Sequence, residues 1–485
     1  MESLLISRGL KMSKSLMGAE VWAQEVFGRC ELGDLRRTHR LVKTAGMLAR
    51  RVGEAMVSAS DGDEAASEGA YRLIRNKAVG AAEIAEGGFA STVAAAQACQ
   101  TLLAVEDTTT LNYKHSAVDE LGDLGGPASS RKRGFIVHSV LLVERESRRT
   151  VGLIEQQRWC RDPAERGVRH ARRTRAYADK ESVKWERASV QVASRLGSLM
   201  SQVVSVCDRE SDVYEYLCYK VGRGERFVVR ASRDRRLVDD AVGHLFASMS
   251  QAPVVGEHRV ALGQRGGKQA RGAREACLEV RTQTVTLRSP KRDGSLGSLT
   301  VNAVLARELS APADVEAAHW LLLTSEPIED LEAARRVIGD YALRWRIEEF
   351  HKAWKSGAKV EQMRMQTAGN LERMATVLAF VAVRLLQLRE AVLESDAERA
   401  AQPCTAVLSE DEWRVLWATR QGTRPPAQAP TLRWAYESIA KLGGFIDTKR
   451  TGRAGWDTMW DGWFRLQERV VGYRLALGLN TSEKM

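Results

Sequence analysis

Two aspartates stand where buried strands are predicted to end. Asp107 closes the apolar segment TLLAVED, and Asp208 closes the apolar segment QVVSVCD. In an open α/β sheet, ligands gather at the carboxyl ends of the strands, so both carboxylates can project into one crevice. A lone aspartate at a strand end is more often a turn former or a helix cap. The pair is therefore a candidate site that needs a third element.

A third acid lies in the segment YALRWRIEEFHKAWK, which is predicted to be helical. On a helix that turns about 100° per residue, one narrow face carries Tyr341, Arg344, Glu348 and Lys355. The apolar stripe that would pack this helix on a sheet contains Leu343, Ile347, Phe350 and Trp354. The competing interpretation is a surface helix with ion pairs, because Arg344 and Glu348 are spaced i, i+4.

The order Tyr, two residues, Arg, three residues, Glu, six residues, Lys within this segment resembles the signature of bacterial DDE transposases of the insertion-sequence-four family. The resemblance extends from about Val21 to about Leu466. The other segments that carry it are AVEDTTTLNY, VHSVLLVE, CDRESD, RFVVR, WLLLTSEP, VAVRLLQLRE and KLGGF.

The resemblance implies a catalytic and metal-binding triad of Asp107, Asp208 and Glu348. It also implies an α/β fold with a ribonuclease H-like mixed sheet flanked by helices, an inserted β-rich subdomain, and helical N-terminal and C-terminal domains. Two Mg²⁺ ions would clamp the anionic transition state of phosphodiester chemistry. Hard oxygen ligands suit Mg²⁺, with Mn²⁺ as a substitute.

The same resemblance implies residues that contact double-stranded DNA. Phosphates near the scissile bond would be held by Tyr341, Arg344 and Lys355, with Arg230, Lys352 and Arg364 as weaker candidates. Trp320 would hold an extruded base, although a core tryptophan at a strand end is the alternative. The transposon end would be contacted by Arg36, Arg37 and Arg40, with Tyr71 and Arg72 as second choices. An arginine-rich helix exposed to solvent is the alternative there.

The elements that must position these residues follow from the periodicity. Residues 19–80 are predicted to be helical, with Asp34 as an N-cap. From residue 101 the order is three strands, a helix, a strand, a helix and a strand. Alternating segments at about 233–327 predict the inserted strands, and long helices are predicted at 328–357 and 370–393. The predicted domains are 1–80 for DNA binding, 81–393 for catalysis and 394–485 for dimerisation and assembly.

The composition fits a DNA partner. Lysine and arginine outnumber aspartate and glutamate by 73 to 62, which gives a formal charge of +11. Clustered positive charge favours a polyanionic partner, and a solvated basic surface is the alternative. The strongly basic segment 161–182 departs from the family pattern. The seven cysteines show no zinc-binding spacing, and there is no signal peptide or membrane-spanning run, so we expect a cytoplasmic protein.

These observations predict a cut-and-paste transposase that works as a homodimer on transposon ends and target DNA. Two other functions remain open at this point. A generic ribonuclease H-like nuclease would cut strands without joining them. A catalytically inactive DNA-binding protein derived from a transposase would bind ends without cutting them.

Overall fold

A computed structural model describes residues 18–478 apart from ten internal gaps, at 115–119, 126–131, 162–174, 239–242, 263–273, 291–295, 313–314, 394–399, 407 and 447–453. Most of the basic segment predicted at 161–182 lies outside the described residues, so its role stays a prediction.

The helices of the described residues include those predicted within 19–80 and 370–393. They are α1 (Ala19–Phe27), α2 (Leu35–Arg50), α3 (Met56–Ala59), α4 (Glu64–Arg75), α5 (Ala81–Ala96), α6 (Lys184–Leu196), α7 (Tyr214–Gly222), α8 (Leu245–Gln251), α9 (Leu331–Leu343), α10 (Trp345–Lys352), α11 (Ala368–Leu393), α12 (Glu410–Gln421), α13 (Leu432–Leu442) and α14 (Trp456–Ala476). Asp34 is the N-cap of α2, as predicted, because its carboxylate accepts a 2.9 Å hydrogen bond from the N–H of Arg36.

The predicted strands occur in the predicted order, and the short strand β2 is additional. They are β1 (Leu102–Tyr113), β2 (Gly122–Asp123), β3 (Arg133–Glu144), β4 (Thr150–Trp159), β5 (Val203–Cys207), β6 (Arg226–Arg230), β7 (Val254–Leu262), β8 (Arg274–Leu287), β9 (Leu299–Glu308) and β10 (His319–Thr324). They form one mixed sheet in the order β2-β3-β1-β5-β6-β10-β9-β8-β7, with β4 paired to β3. The centre, β1-β5-β6, is parallel. The pairs β2-β3, β3-β4, β6-β10, β10-β9, β9-β8 and β8-β7 are antiparallel.

The inserted strands extend the central sheet. Strand β10 pairs with β6 on one side and with β9 on the other, so β7 to β9 continue the same hydrogen-bonded surface. Periodicity shows that strands are present but not which strands they join, because pairing is decided over long sequence separations. An α/β architecture with a mixed sheet flanked by helices is compatible with a ribonuclease H-like fold.

The two faces of the sheet are covered by different helices. The first face packs on α6, α7 and α8 through a core that includes Trp185, Leu217, Phe227 and Leu245, and through a neighbouring cluster around Leu102, Ala104 and Val192. Helix α9 packs against strands β5 to β10 and belongs to neither cluster. Because successive side chains of a strand point to opposite faces, Val105 and Val206 point to the second face, where α9 lies.

The chain forms two compact units. Unit 2 comprises residues 92–112 and 121–348, and so contains the sheet and helices α6 to α9. Unit 1 comprises residues 1–91, 113–120 and 349–485. The division into three domains stays a prediction, since unit 1 combines the predicted N-terminal and C-terminal helical parts.

Unit 1 is built around α11, which is buried on nearly all sides. Phe380 of this helix contacts Phe27 of α1 and Phe89 of α5, with ring centroids 5.5 and 5.7 Å apart. A helix that is apolar all round belongs in a core. A second cluster holds α12, α13 and α14 together around Trp413, Ile439 and Leu466. Trp460 of α14 is buried.

All seven cysteines are free. In the part of the chain that the structure describes, we find no helix with the length and apolar character needed to cross a membrane.

Candidate functional site

Asp107 and Asp208 occupy equivalent positions on adjacent parallel strands. The register pairs Val105 of β1 with Val206 of β5, and each aspartate lies two residues beyond its member of that pair. By strand alternation both point to the face on which α9 packs. The Asp208 carboxylate also accepts a 2.9 Å hydrogen bond from the N–H of Glu210, which orients it. The sheet therefore brings the two predicted aspartates to one edge.

Arg344 connects the third acid to this edge. Its guanidinium lies 3.6 Å from the Asp107 carboxylate and forms a close ion pair with Glu348. The side chains of Arg344 and Asp107 are only 13% and 22% exposed, so water screens this contact weakly. One cation thus bridges two of the three predicted catalytic acids.

The helix that carries Glu348 differs from the continuous helix that the wheel assumes. Helix α9 ends at Leu343, Arg344 forms its C-cap, and α10 begins at Trp345. The polypeptide then makes a π-helical turn at Ala353–Gly357. A π turn holds more residues than an α turn, so the predicted angular position of Lys355 is wrong, whereas the i, i+4 pairing of Arg344 with Glu348 is present.

The pKa of Asp107 reflects its burial and the negative charges beside it. Burial, followed by the negative charge of Asp208, raises the pKa of Asp107 to about 6, and Arg344 opposes this shift. Glu348 raises the pKa of Asp107 further. The three acids are therefore close enough to interact through their charges.

The free energy of unfolding of the metal-free protein, measured with a chelator present, should depend on pH. Folding favours protonated Asp107, so its stabilising contribution is complete below pH about 3.8 and is lost as pH rises through about 6. We expect the free energy of unfolding of wild type, relative to Asp107→Asn, to fall by about 3 kcal/mol across this window, at roughly 1.4 kcal/mol per pKa unit. Urea denaturation at several pH values measures it. Parallel pH profiles for the two proteins would contradict this account.

The donor set fits a hard divalent cation. Three carboxylates with a raised Asp107 pKa form a site with unbalanced negative charge, and oxygen ligands suit Mg²⁺ or Mn²⁺. Among the described residues, no three acidic, histidine or cysteine side chains are grouped closely enough to ligate one ion as they stand. Arg344 is a cation that contacts two of these acids, Asp107 and Glu348.

Aromatic and basic side chains border the acids within unit 2. Trp320 of β10 and Tyr341 of α9 meet edge to face, with ring centroids 5.8 Å apart. The Arg230 guanidinium lies 6.0 Å from the Tyr341 ring and donates a 2.9 Å hydrogen bond to the carbonyl of His319. Trp320 is half-buried, so part of its ring is accessible to a ligand.

Trp345 was not predicted as a site residue. It begins α10, is 59% exposed and precedes Glu348 by three residues. Positions i and i+3 are neighbours on a helix surface, so an exposed indole lies beside the acid. The sequence did contain a signal for Trp345: it is a large apolar residue on the polar face of the predicted helix, roughly 40° from Tyr341. Such a ring can stack on a nucleic-acid base.

The remaining predicted phosphate contacts belong to unit 1. Lys352 is exposed at the end of α10, Lys355 is half-buried in the π-helical turn, and Arg364 is exposed before α11. Their contact with DNA stays a prediction.

A second candidate surface lies on α2. On a helix with about 100° per residue, one face carries Arg36, Arg40, Lys43 and Arg50, all of which are exposed. Arg37 lies off this face, and its guanidinium donates hydrogen bonds of 2.9 and 3.3 Å to the carbonyls of Leu32 and Ala78. Arg37 therefore also anchors the start of α2.

Helix α4 packs against α2 beside its basic face. The Arg40 guanidinium lies against Gly69, where an added Cβ would collide with it. Two residues after Gly69, the ring of Tyr71 lies 5.0 Å from the Arg75 guanidinium, and Arg72 pairs with Glu68 at the surface. The residues predicted to contact the transposon end thus come from two packed helices.

Residues 19–79 match the family model described as transposase DNA-binding. The match covers α1 to α4, which carry the basic face of α2. It indicates a transposase that binds DNA, in agreement with the positive charge of the chain. We call residues 19–79 the transposase DNA-binding region.

Substitution of Gly69 tests how this transposase DNA-binding region uses Arg40. We expect Gly69→Ala to displace the Arg40 guanidinium and to weaken end binding about as much as Arg40→Ala, although it removes no charge. Loss of one phosphate contact should reduce the slope of log affinity against log salt by about 0.9. Fluorescence anisotropy at several salt concentrations measures both quantities.

Arg433→Ala is the matched control, because Arg433 is exposed on α13, outside the transposase DNA-binding region. It removes the same charge as Arg40→Ala and should leave the salt slope unchanged. If Gly69→Ala binds as wild type does, or if Arg433→Ala weakens binding equally, the assignment of Arg40 is wrong.

Proposed function

We propose that this protein is a cut-and-paste DNA transposase of the DDE type, similar to the insertion-sequence-four family. The observation that carries the proposal is the placement of Asp107 and Asp208 at equivalent positions on adjacent parallel strands, with Glu348 linked to Asp107 through Arg344. The transposase DNA-binding region supports the same function.

Asp107, Asp208 and Glu348 would hold the divalent ions. When bound, Mg²⁺ supplies Lewis-acid stabilisation of the crowded anionic transition state. The chain itself contributes negative charge at one sheet edge and a low-polarity environment around Asp107, whose side chain is 22% exposed. Arg344 would exchange its carboxylate partners for a DNA phosphate, for which a guanidinium is well suited.

Tyr341, Trp320 and Trp345 would hold the DNA end beside the acids. A base extruded from the duplex can stack on an accessible indole at low cost. Trp320 contacts Tyr341 and Trp345 is exposed on α10, so both rings border the acids. This supports cleavage through a hairpin on the transposon end, followed by joining of the 3′ hydroxyl to target DNA.

Two copies of the chain are proposed to pair the two transposon ends. Arg36 and Arg40 would contact the end sequence, with Tyr71 and Arg72 on the neighbouring helix. Phosphate contacts by exposed arginines position a protein on DNA, while contacts to base edges provide specificity.

Product mapping tests the proposal. The full chain is incubated with Mg²⁺, a target plasmid and DNA that carries the repeats flanking its own gene. A transposase yields nicked ends, hairpin ends and joined products in sequence. A generic nuclease yields cut strands without joined products, and a catalytically inactive protein yields bound ends only. Either of the last two results would overturn the proposal.

A further inference from the structure

A buried histidine contacts the two residues that flank Asp107. His138 of β3 is fully buried, and its Nε2 lies 3.3 Å from the carboxylate of Glu106, which is 1% exposed. Its Nδ1 lies 3.0 Å from the hydroxyl of Thr108. One imidazole therefore spans both neighbours of the predicted metal ligand.

Strand alternation explains this arrangement. Glu106 and Thr108 share one face of β1, while Asp107 points to the other. The imidazole lies on the first face, where the ring of Trp185 from α6 packs against it at 4.5 Å between centroids. His138 is thus held within the core while it fixes the strand on both sides of Asp107.

The hydrogen-bond chemistry selects one state of His138. The Glu106 carboxylate accepts from Nε2, and Nδ1 then accepts from the Thr108 hydroxyl, because a neutral imidazole has one donor and one acceptor nitrogen. Burial lowers the pKa of His138, which agrees with a neutral ring. The backbone N–H of Thr108 in turn donates a 2.7 Å hydrogen bond to the Asp107 carboxylate. A continuous chain of contacts links Glu106 to Asp107.

We propose that Glu106 and His138 are positioning residues that hold Thr108, and through it the Asp107 carboxylate, in the orientation needed to bind a divalent ion. This inference rests on the proposed function. Groups behind a metal ligand commonly orient it, and their removal costs about 10- to 100-fold in metal affinity or activity.

The test compares wild type, His138→Gln, Thr108→Val and Thr108→Ser as full-length proteins. Mn²⁺ alone is titrated and followed by electron paramagnetic resonance, and nicking of end DNA is measured separately. We expect His138→Gln and Thr108→Val to weaken Mn²⁺ binding and nicking by about 10- to 100-fold, with unchanged end binding. Thr108→Ser keeps the hydroxyl and should restore both. The double variant His138→Gln, Thr108→Val should lose little more Mn²⁺ affinity than either single variant, because both residues act through one contact.

Ser139→Ala is the matched control. Ser139 is the next residue on β3, is equally buried, and accepts a 3.0 Å hydrogen bond from Gln156. It should lower stability without changing Mn²⁺ affinity. If His138→Gln does not fold, Thr108→Val carries the test, because it removes a single hydroxyl.

The outcomes separate this inference from the proposed function. Wild-type nicking combined with wild-type Mn²⁺ affinity in Thr108→Val and His138→Gln would overturn the positioning role and leave the transposase proposal intact. Failure of Thr108→Ser to restore Mn²⁺ affinity would also overturn it. A wild-type chain that neither binds Mn²⁺ nor nicks DNA would overturn both.

Discussion

Replacing any one of the three acids with its amide should reduce nicking of transposon ends by about 10³-fold or more. Lewis-acid stabilisation is worth several kcal/mol, and each 1.4 kcal/mol is a factor of about ten in rate. The variants Asp107→Asn, Asp208→Asn and Glu348→Gln are preferable to alanine, because each amide keeps an acceptor oxygen. Asp208→Asn can still accept from the N–H of Glu210, and Glu348→Gln can still accept from Arg344.

The amide variants should also separate catalysis from folding. In chelator, Asp208→Asn removes a negative charge that raises the pKa of Asp107, so the variant should be at least as stable as wild type. Added Mg²⁺ should raise the melting temperature of wild type, because an ion that binds only the folded state stabilises it, and should not raise that of the variant. Single-turnover nicking assays and thermal melts with and without Mg²⁺ measure these effects.

Glu215→Gln is the control for the acid-to-amide change. Glu215 lies on α7 in unit 2 and is not one of the three proposed catalytic acids. It should nick at the wild-type rate. Normal nicking by an amide variant at position 107, 208 or 348 would remove that acid from the proposed triad.

The central sheet was predictable because its strands contain nearly continuous apolar runs. The segments around Leu103, Val140 and Val204 are buried on both faces, and such runs read as strands. It was not predictable that the inserted strands join the central sheet by pairing of β10 with β6. That pairing depends on contacts such as Leu322 with Arg230, which are distant in sequence and have no local signal.

The candidate site was predicted in part. Asp107 and Asp208 follow from the rule that ligands gather at strand ends, and the register places them together. The break at Arg344 and the π-helical turn after Lys352 were missed, since a helical wheel assumes uniform geometry. His138 was also missed, because nothing local indicates that β3 places its ring against Glu106 and Thr108.

Removing Arg145 should destabilise unit 2 by about 3 kcal/mol, the lower end of the range for breaking a buried ion pair. Arg145 follows β3, and its guanidinium donates hydrogen bonds of 2.9 and 2.6 Å to Asp340 of α9 and one of 3.2 Å to Glu326. Asp340 is 2% exposed, so Arg145→Ala leaves its carboxylate buried with its main partner gone. The lower end applies because the Arg145 side chain is 19% exposed.

Loss of the Arg145 contact should also affect the candidate site, because Arg145 is bonded to α9, which leads to that site. Asp340 immediately precedes Tyr341, and α9 ends one residue before Arg344, so the Arg145 contact fixes the helix that leads to Glu348. Hydrogen exchange of the β5 and β6 amides, measured at increasing urea concentrations, reports the stability of unit 2 alone. At low urea, where the variant is still folded, nicking should fall less than in the amide variants, because all three acids remain.

The double variant Arg145→Met, Asp340→Leu distinguishes a buried pair from a surface pair. An apolar replacement of both partners removes the uncompensated charge and should recover much of the lost stability. A surface pair would cost less than about 1 kcal/mol when broken and would show no such recovery. A loss of that small size in Arg145→Ala would mean that α9 is held on the sheet by its apolar residues, such as Val337 and Ile338, without help from the ion pair.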